Sequence, residues 1–413
     1  MSRRAPARHP RARPGDPSLV KIILGILVVA IAGYGVMRFA DWFNSDYVGG
    51  EAEASAGENL DEVERLLEAN ETDKAEQLLR NVLARVDDLT ISPRALMLEA
   101  DIHNGAGNTD KALESLRAAS QDYPASPSQP VAAMAYGRLL EAEGRVEEAL
   151  AVYEDVRDHA PPELRAGALT GLGKQQEREG DLFAARDLYA QAESCAPFDS
   201  PDWQEAVDGL GRLNVDLIFS SKRTPASKVY TVQKGDALTN IGIKLNTTQG
   251  LLMRANGLTD PNKLHLGQNL KYTPKDFRIT IERSSRRIFL LDEEGVFKIY
   301  STGLGRDNHE TALGRYRVGN KEKNPTWFKP GSEPIPPLDP RNELGTRWMP
   351  MVPEEEGLPK DLGIHGTIQP DSIGKYSSSG CPRMLKADVE ELYDLVVRST
   401  PVTVVENISP IDL

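Results

Sequence analysis

Apolar residues follow four different patterns along this chain. Residues 19–40 are almost wholly apolar, whereas residues 50–219 carry apolar and small side chains at helical spacing. Residues 228–274 and 277–406 instead show short apolar runs divided by turn-forming residues. The chain is therefore predicted to be multidomain, with a transmembrane helix, an all-α repeat region, a small α+β module and a mainly β domain at the C-terminus.

The apolar run from Leu19 to Ala40 is 22 residues long. At about 1.5 Å per residue it can cross a hydrocarbon core of about 30 Å. Five arginines lie in the basic tail of residues 1–18, and acidic residues follow the run, so the tail is predicted to be cytoplasmic and the later domains periplasmic or in the cell wall. A cleavable signal peptide is the alternative, but the small-x-small site at Ala54–Ala56 lies far beyond the run. We predict an uncleaved single-pass anchor in the cytoplasmic membrane.

Residues 50–219 repeat a helical hairpin. In four copies a small residue is followed five positions later by alanine, and the alanines are 37, 37 and 36 residues apart. The pairs are Asn70 and Ala75, Gly107 and Ala112, Gly144 and Ala149, and Gly180 and Ala185. Prolines at 124, 161 and 197 are predicted to follow the ends of the second helices, and both small positions are interpreted as sites of close helix approach.

This period is close to that of tetratricopeptide repeats, which the segment resembles. The resemblance implies a stack of four hairpins, with a further helix over Trp203–Leu217. Such a stack leaves a concave face for a protein partner, but it can equally serve as a spacer between membrane and enzyme. The sequence leaves these two roles open.

After a polar linker at residues 220–227, residues 228–274 have the pattern strand, helix, helix, strand. This segment resembles a LysM module over nearly its full length. The resemblance implies binding of N-acetylglucosamine-containing glycan in a groove between two loops. The candidate glycan contacts are Gly235, Asp236, Leu238, Asn256 and Gly257. A module that only packs against its neighbour is the alternative.

The C-terminal region from 277 to 406 carries β-prone runs at 277–281, 288–291, 296–300, 316–318 and 402–405. The spacing of Val389, Leu392 and Leu395 predicts one helix. Between them, Asn324–Pro340 contains six prolines, too many for a central strand. We predict a rigid loop or lid there, beside a cleft.

Cys381 and His365 are the candidate catalytic residues. A free thiol has a pKa of roughly 8.5 and needs a base to become a thiolate, and imidazole is the usual partner. Sixteen positions separate the two residues, so a loop must bring them together. Gly380 would let backbone N–H groups beside the thiol face an incoming carbonyl. The arrangement predicts acyl transfer through a thioester, with a buried structural cysteine as the alternative.

The stretch from Ile364 to Met384 resembles the active-site signature of the L,D-transpeptidases with a YkuD-type catalytic domain. Its matching elements are His365-Gly366-Thr367, Ser372-Ile373-Gly374-Lys375, and Ser378, Gly380, Cys381, Arg383 and Met384. The resemblance covers about residues 277–406 and has two departures, Ser379 for a frequent histidine and Pro382 for a frequent Ile or Val. Because Pro382 lacks an N–H, the oxyanion hole is predicted to use the N–H groups of Gly380 and Cys381.

The resemblance implies a role for each site residue. Cys381 would be the nucleophile and His365 the general base and acid, with the Gly366 carbonyl orienting the imidazole. Gly380 and Ser379 would support catalysis, and Arg383 would bind a substrate carboxylate or brace the loop. The remaining candidates for substrate binding are Thr367, Ser378 and Trp348.

The implied function is a membrane-anchored enzyme that cross-links peptidoglycan after releasing the terminal D-alanine of a stem tetrapeptide. An L,D-carboxypeptidase or cross-link hydrolase with the same site is one alternative, and a noncatalytic peptidoglycan-binding scaffold is another. Stem-peptide composition, the acceptor amine and the oligomeric state stay open. No cofactor is required, and the sequence offers no His or Cys cluster for a metal.

Composition adds two expectations. The net charge of −13 over 413 residues argues against a nucleic-acid partner, because phosphate binding needs clustered positive charge. Cys195 is the second of two cysteines, and pairing it with Cys381 would consume the nucleophile. We therefore expect Cys195 to be free and packed in the fourth repeat.

Overall fold

The computed structural model of the protein describes residues 51–85, 87–329 and 331–412. The predicted basic tail and membrane anchor, residues 1–40, lie outside the described residues. Within the described ranges no helix combines the length and apolarity that crossing a bilayer needs. The described chain divides into two compact units, residues 51–172 with 195–197, and residues 173–194 with 198–412.

The helical region has the predicted hairpin order. Its helices are α1 (Glu51–Glu68), α2 (Thr72–Leu83), α3 (Ile91–Gly105), α4 (Thr109–Gln121), α5 (Gln129–Ala142), α6 (Val146–His159), α7 (Ala166–Glu179), α8 (Leu182–Cys195) and α9 (Pro201–Phe219). Pro124, Pro161 and Pro197 follow the ends of α4, α6 and α8 by two or three residues, as predicted. The expected C-terminal helix is α9, and Ser200 accepts a hydrogen bond from the Trp203 N–H at its start.

The first small residue of each repeat does not have the predicted role in close helix packing. Its backbone is left-handed in all four copies, with φ of 58° at Asn70, 78° at Gly107, 77° at Gly144 and 86° at Gly180. Nothing lies within 4 Å of a Cβ placed on any of the three glycines. The prediction of close helix approach at this position is therefore wrong: the residue ends the first helix in the αL conformation that glycine and asparagine tolerate.

The second small residue of each repeat does take the tight packing. The alanines are 0, 0, 1 and 0 % exposed at positions 75, 112, 149 and 185. A methyl group at these sites keeps the second helix of a hairpin close to its neighbours, and a larger side chain would have to push them apart.

The following module has the element order β-α-α-β that its sequence predicts. Its elements are β1 (Lys228–Thr231), α10 (Leu238–Lys244), α11 (Gln249–Ala255) and β2 (Asn269–Tyr272). The two strands pair antiparallel, with Lys228 opposite Tyr272. Thr248 caps α11 by accepting the Leu251 N–H.

The C-terminal region is a mixed sheet with one long helix. Its strands are β3 (Arg278–Glu282), β4 (Arg287–Asp292), β5 (Gly295–Ser301), β6 (Leu304–Gly305), β7 (Gly314–Val318), β8 (Glu322–Lys323), β9 (Arg347–Pro353), β10 (Gly363–His365), β11 (Tyr376–Ser378) and β12 (Pro401–Val405), and its helix is α12 (Lys386–Leu395). All the predicted strands and the predicted helix are present. The main sheet has the order β10-β9-β7-β12-β3-β4-β5, and β8 pairs with β9. A separate parallel pair joins β6 to β11.

Within the second unit, α9, the β-α-α-β module and the sheet share one apolar core, which includes Ile218, Leu251 and Leu392. The side chain of Asn214 on α9 donates to the Phe297 carbonyl of β5 at 3.0 Å. This contact covers the edge of the sheet, where backbone groups otherwise lack partners.

The proline-rich segment 324–340, which we call the lid segment, contains no helix or regular strand among its described residues. Trp327 and Ile335 exchange two backbone hydrogen bonds of 2.8 and 2.9 Å across it. Buried Asn342 donates its side-chain N–H groups to the carbonyls of Pro325 at 2.9 Å and Pro336 at 3.2 Å. One amide therefore holds both arms of the segment, in keeping with the predicted rigid loop.

Two glycines of one hairpin provide a direct test of the helix-ending role. Gly107→Ala should lower the free energy of unfolding by about 1 kcal/mol, because L-residues are strained at positive φ. Gly105→Ala, two positions earlier inside α3, should have no such cost because a Cβ there meets nothing within 4 Å. Chemical unfolding of the two variants measures both values. Equal effects would contradict the assignment.

Candidate active site

The strand register brings the nucleophile segment to His365. The His365 N–H donates to the Pro382 carbonyl at 3.1 Å, and the Met384 N–H donates to the His365 carbonyl at 2.9 Å. On its other side, Arg383 exchanges backbone hydrogen bonds of 2.9 and 2.7 Å with Gly303. The N–H of residue 382 is used in neither pairing, so a proline fits there without loss of a hydrogen bond.

This register sets Cys381 beside Gly363 on β10. The Gly363 N–H lies within hydrogen-bonding reach of the thiol. Gly363 and His365 are two positions apart on one strand, so they share a face. The register therefore sets the segment that carries the thiol alongside the strand that carries the imidazole, and the direct pairing of the Cys381 and His365 side chains stays a prediction.

The imidazole of His365 is held in one tautomer. It is 4 % exposed, and its Nδ1 lies 2.6 Å from the Gly366 carbonyl. A carbonyl can only accept, so Nδ1 carries the proton and the lone pair is on Nε2. Burial lowers the pKa of His365 to about 4, with the nearby Arg383 charge adding to the effect and the Gly366 carbonyl opposing it. The imidazole is therefore neutral near pH 7 and able to accept a proton.

The thiol is also neutral at rest. Cys381 is half-buried, and its Sγ lies 3.8 Å from the Asp361 carbonyl. Burial raises the pKa of the Cys381 thiol, and the Asp361 charge adds to this, against the opposing Gly363 N–H and the Arg383 charge. The low-polarity surroundings thus favour a neutral thiol, which needs a base to become a thiolate.

The loop before the nucleophile is fixed by two buried hydroxyl groups. Gly380 has φ of 117°, and its N–H donates to the Ser378 Oγ at 3.1 Å. Thr311 Oγ1 donates to the Gly380 carbonyl at 2.7 Å and accepts the Gly305 N–H at 3.2 Å. The predicted oxyanion hole therefore needs correction, because the Gly380 N–H is already used. The Cys381 N–H has no partner among the described residues and is the donor left for an oxyanion.

Arg383 braces the site. Its side chain is 11 % exposed, and its Nη2 lies 2.9 Å from Glu343 Oε2. The Glu343 backbone carbonyl also faces the His365 imidazole and raises its pKa. Of the two predicted roles, the geometry favours bracing over binding of a substrate carboxylate, since the largely buried guanidinium already has a carboxylate partner in Glu343.

The other predicted substrate contacts fall in different places. Trp348 is half-buried, and its indole centroid lies 5.8 Å from that of the His365 ring, so it lies at the site. Ser379 is exposed beside the nucleophile loop, and Thr367 accepts the Gln369 N–H within its own turn. Ser378 is 1 % exposed, which favours a loop-supporting role over direct contact with a substrate.

The candidate glycan contacts of the β-α-α-β module mostly serve its own fold. Gly235 has φ of 89°, and Asp236 accepts hydrogen bonds from the Tyr230 hydroxyl at 2.8 Å and the Gln233 N–H at 2.7 Å. Leu238 is 1 % exposed in the module's core. The side chains of Asp236 and Leu238 therefore contact the module itself: the carboxylate accepts hydrogen bonds within its loop, and the leucine packs in the core.

The second loop of the module shows the same behaviour. Asn256 donates to the Leu252 and Lys271 carbonyls at 2.8 Å each and accepts the Lys271 N–H at 2.7 Å. Gly257 follows with φ of 63°. A glycan groove at these loops would have to rely on backbone groups and on neighbouring exposed side chains.

Three residues of the site escaped the sequence reasoning: Glu343, Asp361 and Gly363. Glu343 is 40 positions from Arg383, and no local pattern links them. Gly363 is required because a Cβ there would lie 2.4 Å from Cη2 of Trp348. The available signal was a glycine directly before β-branched Ile364, because a glycine within a strand often marks a close approach of another group.

Thr311 allows a test of how the nucleophile loop is held. Thr311→Val should leave the Gly305 N–H and the Gly380 carbonyl without their buried partner, at a cost of about 1–3 kcal/mol in unfolding free energy. Thr311→Ser keeps the hydroxyl and should retain most of the stability and of the reactivity of Cys381. Thermal unfolding and the rate of Cys381 acylation measure the two effects. Equal behaviour of the two variants would rule out the hydroxyl as the clamp.

Both cysteines are free, including the half-buried Cys195, as expected.

Comparison with known protein families gives three matches. The model of the L,D-transpeptidase catalytic domain matches residues 276–404, the LysM domain matches residues 230–273, and a tetratricopeptide repeat-like domain matches residues 19–196.

Curated relatives agree with the first match. The chain is similar to the putative L,D-transpeptidase YkuD of Bacillus licheniformis, at 26 % identity over 182 residues, covering 43 % of this chain and 98 % of that protein. It is also similar to the putative L,D-transpeptidase YkuD of Bacillus subtilis, at 28 % identity over 181 residues, covering 42 % of this chain and 97 % of that protein.

Among solved structures, an L,D-transpeptidase from Mycobacterium smegmatis aligns at a TM-score of 0.27 and 12 % identity, covering 34 % of this chain and 63 % of that chain. The catalytic domain of the E. faecium L,D-transpeptidase aligns at a TM-score of 0.25 and 23 % identity, covering 32 % and 97 %. At these TM-scores the two alignments carry no weight. From the family models and the curated relatives, the chain contains an L,D-transpeptidase catalytic domain of the YkuD type, together with a LysM domain and a tetratricopeptide repeat-like domain.

Proposed function

We propose that the protein is a peptidoglycan L,D-transpeptidase that works through a thioester on Cys381. The observation that carries the proposal is the neutral His365, whose Nδ1 proton is bonded to the Gly366 carbonyl and whose strand is bonded to the backbone of the segment directly after Cys381. A neutral base next to a neutral thiol suits a reaction in which the proton moves only as the nucleophile attacks.

In the first step the Cys381 Sγ attacks the carbonyl carbon of the third residue of a stem tetrapeptide. The thiol proton passes to His365 Nε2, and the developing oxyanion accepts the Cys381 N–H. The C–N bond then breaks, His365 returns the proton to the leaving amine, and D-alanine departs. The third residue is now held as a thioester.

In the second step the amine of a neighbouring stem attacks the thioester carbonyl. His365 takes a proton from this amine, the C–S bond breaks, and the sulfur recovers the proton as a thiol. The product is a new amide cross-link. If water replaces the amine, the same steps give a shortened stem, which is the L,D-carboxypeptidase or hydrolase alternative.

The remaining domains support a substrate in the cell wall. A LysM module lies in the same compact unit as the catalytic sheet and shares its apolar core through Leu251. A glycan held by this module would keep stem peptides near the catalytic domain. The apolar run at residues 19–40 keeps its predicted role as the membrane anchor, with the later domains outside the cytoplasm.

Product analysis tests the proposal. The full-length protein is incubated with a disaccharide tetrapeptide, and the products are separated and identified by mass spectrometry. The wild type should release D-alanine and form a cross-linked dimer, and a transient acyl adduct should map to Cys381. Cys381→Ala should lose all three signals with unchanged folding, because the thiol is the only group that forms the covalent bond.

The outcomes separate the alternatives. A shortened stem without dimer, dependent on Cys381, would replace transfer by hydrolysis. No change in the substrate with either protein, while the protein still binds peptidoglycan, would support the noncatalytic scaffold.

A further inference from the structure

Two arginines lie near the nucleophile, and they differ in availability. Arg383 is 11 % exposed and is paired with Glu343. Arg306 is exposed, and it makes no ion pair among residues 51–85, 87–329 and 331–412. An unpaired guanidinium beside an acyl-transfer site is a ready receptor for a carboxylate.

Arg306 is fixed to the nucleophile loop by its backbone. Its N–H donates to the Ser378 carbonyl at 3.1 Å, and its own carbonyl accepts the His309 N–H at 2.9 Å. The residue before it, Gly305, is tied to Gly380 through the Thr311 hydroxyl. The backbone of Arg306 is therefore held in place by hydrogen bonds on both sides of the residue.

Its side chain contacts the loop that precedes the thiol. Nη1 lies 3.3 Å from the Ser379 Oγ and 3.5 Å from the Ser378 carbonyl. Ser379 is two positions before Cys381. Both contacts are long and involve neutral acceptors, and Nε and Nη2 have no partner among the described residues. Most of the five N–H donors of this guanidinium remain free for a ligand.

The acids of this short loop do not occupy the guanidinium. Glu310 accepts the Asn308 N–H with its Oε1 at 3.2 Å. Asp307 is exposed, and neither carboxylate forms an ion pair with Arg306 in the described chain.

We propose that Arg306 binds the C-terminal carboxylate of the leaving residue and so selects donor peptides that end directly after the scissile bond. The proposal rests on the acyl-transfer function of Cys381. Across a trans peptide, the Cα of the leaving residue lies about 3.8 Å from that of the donor residue, and its carboxylate carbon is about 1.5 Å further along the chain. The guanidinium contacts Ser379, two positions before Cys381, and the carboxylate of a short leaving residue is the substrate charge that comes nearest to that part of the loop.

This assignment explains why one guanidinium is buried and the other is free. Arg383 stabilises the geometry of His365 from inside, whereas Arg306 meets the substrate from solvent. A free carboxylate makes a charge-assisted, bidentate contact with Arg306, and an amide or a longer peptide does not.

The test compares a tetrapeptide donor ending in D-alanine with the same peptide carrying a C-terminal amide. For the full-length wild type, kcat/KM for release of the terminal residue should be higher for the acid by about 10-fold or more. Arg306→Gln should lose this preference by lowering kcat/KM for the acid and leaving that for the amide within about 2-fold. Arg306→Lys, which keeps the charge without the planar fork, should lie between the two.

Arg315→Gln is the matched control, because Arg315 is an exposed arginine on β7 that pairs with Glu355. It should keep the wild-type preference. An Arg306→Gln protein that keeps the preference, or that loses activity equally on both peptides, would overturn the inference.

The wild-type protein alone distinguishes a failure of the proposed function from a failure of the inference about Arg306. If the wild type processes neither peptide, the acyl-transfer function is contradicted. If the wild type processes acid and amide equally well, that function stands and the role of Arg306 is excluded.

Discussion

The segment Pro382–Met384 is held between two other parts of the chain by four backbone hydrogen bonds, two to Gly303 and two to His365. These bonds fix the register of the nucleophile against the strand that carries its base. A shift of one residue would turn the side chains to opposite faces and separate thiol and imidazole. The catalytic geometry therefore depends on the backbone more than on any contact between the two side chains.

Charge is kept low around this ladder. Burial lowers the pKa of His365 to about 4 and raises that of Cys381, so both groups are neutral before a substrate arrives. The Arg383 charge is balanced by Glu343, whose backbone carbonyl raises the pKa of His365 against the larger effect of burial. Because Asn342 holds the lid segment, the adjacent positions 342 and 343 connect that segment to the base and its bracing arginine. Residues 342 and 343 thus influence both the position of the lid segment and the protonation of His365.

Sequence patterns predicted most of the architecture, since periodicity and turn residues act locally. The strands at 288–291 and 402–405 and the helix around Leu392 follow from patterns a few residues long. The Cys381 and His365 pair followed from a family signature. What sequence could not give was the partner of each polar group. The Ser378 hydroxyl takes the Gly380 N–H, and the Asp236 and Asn256 side chains bind their own module. Such partners depend on tertiary contacts.

The repeat glycines are a second case in which the sequence pattern did not determine the role of a residue. A small residue in a helical hairpin can serve close packing or a left-handed helix end, and composition does not distinguish them. Backbone angles do, and they assign the glycines to helix ends and the alanines to packing. Pro382 is similar: the sequence shows that an N–H is missing there, and only the register shows that neither backbone pairing of this segment uses that position.

The most direct test of this account is the protonation state of His365. Two-dimensional NMR of protein with labelled histidine, with the signal assigned by its loss in His365→Gln, gives the tautomer and the pKa. The account predicts a neutral ring with its proton on Nδ1 at pH 7, protonated only as the pH falls through about 4. A ring that is charged at pH 7, or whose proton lies on Nε2, would contradict the neutral pair and the mechanism built on it.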